Sequence, residues 1–302
     1  MTIWARITVA GMTVLLLIAS MLVFLTFPVA QTAKAAFPAA VNLCAGCTDV
    51  RFSLLHAVVT LQPDELALLE PLRTRLPPAV FEQPVPMPPV TSLVAGSGHT
   101  LRDHLRRARE LLAQAGWTYR DGALRNAQGQ PFVLEFLDNS GSMARVVTPL
   151  AKNLEKLGIT VQIRTVDFAV LQKRLDVFDF EVISNRIVGS EAPGTELMER
   201  FSSASARTEG SGNLNGVADP AIDQLLQHVI SAQTRPQLTA ALKALDRLLR
   251  HGFYAIPHWY GGVHRVAWRA TRFEQPATLP VYYQPESWAT STWWSKGMNQ
   301  GK

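Results

Sequence analysis

Cys44 and Cys47, the only cysteines of the chain, stand in the spacing C-x-x-C. That spacing can serve a thiol–disulfide couple, half of a zinc site or a haem attachment. Each use needs a further feature: a βαβ setting, a second ligand pair, or a histidine next in line, where this chain has Thr48. Without them the pair reads as a local disulfide of an oxidising compartment. His258 and His264 flank "WYGGV". No carboxylate or third ligand stands at matching spacing, so they read as ordinary histidines near a strand end rather than a metal pair. Ser140 and Ser142 in "DNSGSMA" stand where a helix begins, as helix-capping residues or as an anion-binding nest. There is no G-x-S-x-G elbow, P-loop, H-E-x-x-H or dinucleotide fingerprint. The chain therefore reads as non-enzymatic, with no cofactor and no metal, and a hydrolase using His258 or His264 ranks last.

The other conspicuous stretch is "GNLNGVADPAIDQLLQHVI", residues 212–230. Its loop of asparagines and glycines tolerates positive φ and offers side-chain amides. Asp219 can accept from the free amides of the next helical turn, and Pro220 at the first helical position lacks an N–H that would be unsatisfied anyway. Asp223 lies near the positive end of the helix dipole. Ile222, Leu225, Leu226, Val229 and Ile230 fall on one helical face.

The elements that must position these residues follow from periodicity. Thr100 caps a helix with an apolar stripe of Leu101, Leu105, Ala108, Leu111, Leu112 and Ala115, stopped at Gly116. Arg102, Arg106, Arg107 and Arg109 form its solvated side. A turn, "RDGALRNAQGQ", precedes an extended run, Phe132 to Leu137. A second helix uses Val146, Val147, Leu150, Ala151, Leu154 and Leu157 and ends on Gly158, after which "ITVQIRTV" alternates as a half-buried strand does. Asp167 caps a short helix to Asp176, and "FDFEVIS" is a strand. Pro236 opens a long helix closed by Gly252, and "FYAIPHWY" is expected as a strand. Helices alternating with strands across short loops predict an α/β lobe with a mostly parallel or mixed sheet flanked by helices. Residues 36–100 read as a Pro-rich connecting segment, with one short helical piece from Asp64 to Leu72 and an extended stretch after it.

The 302 residues are 47% hydrophobic and 18% charged, enough for a sizeable core. The net charge of +5 includes Arg6 and Lys34 of the leader; 5 minus 2 leaves +3. No basic run interleaved with aromatics is present, which argues against nucleic acid as a partner. Residues 1–35 read as a signal peptide or membrane anchor: Arg6, an apolar stretch within 7–30, and Ala33-Lys34-Ala35 as a cleavage pattern. Leu43 stands where a lipoprotein box would want a small residue before Cys44, so no lipid anchor is expected. Export is the expectation, to the periplasm or to the outer face of the inner membrane.

"LRRARELLAQAGWTYRDGALRNAQGQPFVLEFL", "PLAKNLEKLGITVQIRTVD", "FDFEVI" and "GNLNGVADPAIDQLLQHVISAQTRPQLTAALKALDRLLRHGFYAIPHWY" together resemble the C-terminal lobe of the family 5 extracellular solute-binding proteins of ABC importers. The resemblance runs from about Asp64 onward and is nearest to the branch that binds peptides for microcin-type uptake. It implies a periplasmic binding protein-like fold of the second type, a peptide ligand and importer permease subunits as partners. It also implies that Ser184 to Val188, with Asn185 and Arg186, present main chain to an extended peptide. Ser190 and Glu191 stand near the position where relatives hold an aspartate against the ligand's α-amino group, with Glu191 as the replacement anion. Asn213 and Asn215 fall in a loop that the resemblance turns toward the ligand.

Relatives are about twice this size and close two lobes over the ligand. The N-terminal lobe has no counterpart in residues 1–62. The expectation is a C-terminal half left by a frameshift or a misassigned start, or else an exported single lobe; a membrane-anchored interaction module is the competing class. Residues 101–277 would form the lobe. Residues 278–302 would return to the absent one, leaving Trp288, Trp293 and Trp294 without their packing partner.

Overall fold

The computed structural model describes residues 60–86, 100–185, 193–255, 269, 271–277 and 288–296. The leader, Cys44, Cys47, His258, His264 and most of "FYAIPHWY" lie outside the described residues. Among those described, no helix is long and apolar enough to cross a membrane.

Within the segment expected as connecting, residues 60–86 are described; the expected helical piece is present, and the stretch after it is helical at Ala79–Glu82 instead of extended. Helix α1 (Pro63–Leu69) runs into a 3₁₀ turn (Glu70–Arg75), and α2 (Ala79–Glu82) follows. The prolines begin helices here instead of breaking them: Pro63 and Pro71 occupy first-turn positions, where a missing N–H costs nothing. Leu69, Leu72, Leu76 and Val80 then enter a core shared with α7 (Pro220–Ser231) and α8 (Arg235–His251). α7 contributes Ala221, Ile222, Leu225, Leu226 and Val229. Ile230, expected on the same face, is exposed because it lies at the stripe's edge. In this core α1 is locked to α8 by a wholly buried ion pair, Arg247 Nε donating to Glu65 Oε2 at 2.9 Å.

The remaining elements build an α/β body. Helix α3 (Leu101–Gln114) begins with a capping box between Thr100 and Asp103. Strands β1 (Thr118–Arg120) and β2 (Ala123–Arg125) form a hairpin. Asp121 and Gly122 both have positive φ, as its two-residue turn requires. β3 (Val133–Asp138), α4 (Ala144–Glu155), β4 (Thr160–Thr165), α5 (Phe168–Asp176) and β5 (Val182–Ile183) follow. The sheet order is β4-β3-β5, and both pairings among the described residues are parallel. The core of this body is Ala108, Leu112, Leu124, Phe132, Leu154, Leu157 and Ile159. Gly158, with φ +82, lets the end of α4 pass the hairpin: a Cβ there would lie 2.5 Å from the Leu124 nitrogen.

Helix α6 (Glu196–Phe201) and a 3₁₀ turn (Ser205–Arg207) connect the two regions. At the end, β6 (Phe273–Glu274) pairs antiparallel with β7 (Trp294–Ser295), which follows α9 (Trp288–Thr292). Trp294, expected to lack a partner, donates from Nε1 to Glu274 Oε2 at 3.0 Å and is 38% exposed.

Candidate binding edge at the strand ends

Three parallel strands bring their C-terminal ends to one side. Asp138 of β3 pairs in register with Thr165 of β4, and Leu137 with Ile183 of β5. The exits of all three therefore open on the same edge: residues 139–143 after β3, 166–167 after β4, and Ser184 and Asn185 after β5. In open α/β sheets this edge is where ligands lodge. The Val166 N–H donates to the Asp138 carbonyl at 2.9 Å, and Asp167 caps α5 by accepting from Val170 N at 2.9 Å. The serines of "DNSGSMA" form a tight local turn. Ser140 Oγ lies 2.6 Å from Ser142 Oγ and accepts from Ser142 N at 3.2 Å, while Met143 at the start of α4 provides no side-chain cap.

Asp138 is the residue of this edge that sequence reading passed over. It ends the central strand at 8% exposure, and its Oδ2 meets no hydrogen-bond partner. A buried carboxylate oxygen in that state favours any donor brought to it. The available signal was an acidic residue closing an apolar strand run, "VLEFLD", immediately before a glycine and serine turn.

The predicted ligand residues divide. Ser184 and Asn185 are exposed at the exit of β5, which has no second neighbour among the described residues. Arg186, Ser190 and Glu191 lie outside the described residues.

Asn213 belongs elsewhere. It is 0% exposed. Its Nδ2 donates to Ser202 O at 3.0 Å, Ser205 Oγ at 3.1 Å and Val217 O at 2.8 Å, and its Oδ1 accepts from Val217 N at 2.9 Å. With the amide fully engaged inside the chain, Asn213 is a clamp and offers no ligand a group. Asn215 Nδ2 likewise donates to the Tyr254 carbonyl at 2.8 Å, tying the loop to the end of α8. Asp219 accepts from Ala221 N at 2.8 Å, and Asp223 Oδ1 accepts from Ser203 N at 2.8 Å. The careful helix entry thus fastens three segments together. A further bond, Gly210 N to Asp176 O at 2.8 Å, anchors this loop where the chain leaves α5 on its way into β5. Ser184 and Asn185 leave from the opposite end of that strand.

Charge at the entry end is also organised. Glu135 on β3 accepts from Arg174 Nη2 at 2.7 Å and Arg164 Nη1 at 3.3 Å, and Arg174 Nε reaches Asp179 Oδ2 at 2.9 Å. Burial pushes the Glu135 carboxyl up, but the two guanidiniums outweigh it and hold its pKa below the ordinary value. Among the described residues no group of His, Cys, Asp and Glu could hold a metal ion.

Parts of the chain are similar to known proteins. Residues 74–209 match the family described as bacterial extracellular solute-binding proteins, family 5 Middle. That stretch of the chain is similar to the middle segment of family 5 solute-binding proteins. A protein of Brucella melitensis named as a binding protein is 39% identical over 68% of this chain and 33% of its own length. A protein of Agrobacterium fabrum named as peptide-binding is 38% identical over 74% of this chain and 36% of its own. The oligopeptide-binding protein AppA of Bacillus subtilis, solved with a nonapeptide, superposes with a TM-score of 0.45 at 18% identity, over 68% of this chain and 40% of that one. The chain spans about a third of the length of the curated relatives it matches.

Proposed function

We propose that this chain forms part of the peptide-binding wall of the substrate-binding component of an ABC importer, working outside the cytoplasmic membrane. An extended peptide adds to the exit of β5 as a strand, taking main-chain hydrogen bonds from Ser184 to Val188, with Arg186, Ser190 and Glu191 on the following stretch and Asp138 beside it. The observation that carries the reading is the edge itself. β5 has one neighbour, β3, among the described residues and ends in exposed Ser184 and Asn185 beside a buried carboxylate oxygen without a partner. The name of the Agrobacterium fabrum relative supports the peptide class. Strand addition reads main chain more than side chains, which suits a carrier of varied peptides.

Main-chain pairing at one open strand end is expected to hold a short peptide at about 0.1–1 mM, or roughly −5.5 to −4 kcal/mol. The test is amide hydrogen exchange of the purified chain with and without a tetrapeptide at several millimolar. Slowed exchange confined to residues 182–188, lost in Ser184→Pro and kept in Ser184→Ala, is the expected result. Unchanged exchange there, or protection that Ser184→Pro leaves intact, would overturn the reading.

A further inference from the structure

Helix α3 presents Leu101, Arg102, Leu105, Arg106 and Arg109 along one stripe, and across from it stands Lys156, at the C-cap of α4. These six side chains line an open groove of about 650 Å³. Two half-buried leucines make its apolar floor, four cations make its walls, and among the described residues no acidic residue lines it. None of these residues belongs to the peptide-binding proposal.

Two of the wall cations, Arg109 and Lys156, are held in place without being neutralised. Arg109 Nη2 donates to the main-chain carbonyl of Lys156 at 2.8 Å, and Lys156 Nζ donates to Asn153 Oδ1 at 2.9 Å. Both acceptors are uncharged, so both cations keep their full field. Arg106 meets the Asp103 carboxylate at 2.9 Å. A guanidinium has five donors and an ammonium three, so each cation retains hydrogens for an incoming acceptor. Guanidiniums anchored this way suit planar bidentate recognition of carboxylates.

We propose that this groove docks an acidic polypeptide segment carrying an apolar anchor residue. The anchor fills the space over Leu101 and Leu105, while flanking glutamates or aspartates meet Arg102, Arg109 and Lys156. Shape selects a polypeptide over an anionic bilayer. The leucines are half-buried and the cations around them exposed, so the groove suits a protruding side chain better than a flat lipid surface, which would meet the guanidiniums first. The charge steers the partner's approach, and the buried apolar contact lengthens its stay.

The test uses the whole chain and a fluorescein-labelled synthetic peptide that alternates glutamate pairs with leucines, followed by anisotropy. Two control peptides replace glutamate by glutamine or leucine by serine. The expected result is binding at low salt that weakens at least about tenfold in R102E/R109E and in both control peptides. Binding should disappear near 1 M salt, where the screening length is about 3 Å. The double reversal K173E/R207E, on other exposed cations, carries the same net charge change and should leave it intact. Arg102→Gln, a mild change at an exposed side chain, should weaken binding several-fold and serves if the double variant does not fold. Three outcomes would each overturn the proposal: no peptide binding, equal losses in the two double variants, or binding of phosphatidylglycerol vesicles without binding of the peptide.

Discussion

The helical region and the α/β region of this chain stabilise themselves by opposite means. Helices α1, α2, α7 and α8 enclose a large aliphatic core with a charge pair sealed inside it at 0% exposure. The α/β body has a smaller core and keeps its ion network near the surface; α5 buries none of its residues, and Phe168 is 67% exposed. The difference separates rigidity from adaptability. A sealed pair fixes how α1 lies on α8, while among the described residues β5 keeps one side without a neighbouring strand.

Breaking the sealed pair should have the largest effect. Arg247→Met alone leaves Glu65 charged and buried, and a loss of about 3–5 kcal/mol is expected in chemical denaturation. Adding Glu65→Leu should restore most of it. If the double variant is no better than the single, the pair is not what joins the segments. Next comes the clamp. Asn213→Ala strands the Val217 amide and carbonyl, with an expected cost of about 2–3 kcal/mol and faster exchange in residues 202–217. In the α/β body, Gly158→Ala places a Cβ against the Leu124 nitrogen at positive φ. It should cost about 1–3 kcal/mol and loosen the β1–β2 hairpin first.

Acid should separate the regions further. Burial and the neighbouring charge of Arg247 lower the His251 pKa from 6.5. Its contribution is complete above 6.5 and is lost as pH falls through the depressed folded value. The lowered carboxyl of Glu135 contributes above 4.5 and is lost only at lower pH. Glu65 acts in the reverse sense. Burial raises its pKa despite the hydrogen bond and charge of Arg247, so its contribution is full below 4.5 and declines as pH rises through the folded value. Amide exchange followed from pH 7 to 4 should register loosening near His251 first, and His251→Asn should abolish that early phase while sparing the response at Glu135. The smallest effect belongs to the surface. Arg107→Ala removes a pair to Glu110 whose side chains are both about half exposed, and Tm should move by less than about 2 °C.

The α/β alternation was legible because its signals are local. The Thr100 and Asp167 caps, the Asp121–Gly122 turn and the apolar spacing of α7 and α8 each depend on a few neighbouring residues. The helical piece at 64–72 was legible, but the stretch after it was expected as extended, because proline density counts the same in a linker as in a row of helix starts. Only the distant Arg247 distinguishes the two cases for Glu65. Asn213 was misplaced for a related reason: a turn-forming asparagine looks alike whether its amide faces solvent or the chain's own carbonyls. Asp138 went unnoticed because register, invisible in one strand's sequence, sets it beside the exit of β5.

The bond between Glu65 and Arg247 also has a schedule. Its partners are 182 positions apart, and a ribosome adding about 5–20 residues per second needs roughly 10–40 s to cover that distance. Throughout that interval Leu69, Leu72 and Val80 have no core to enter, since α7 and α8 have yet to be made. The amino-terminal part of the core therefore closes only once the helix carrying Arg247 has emerged.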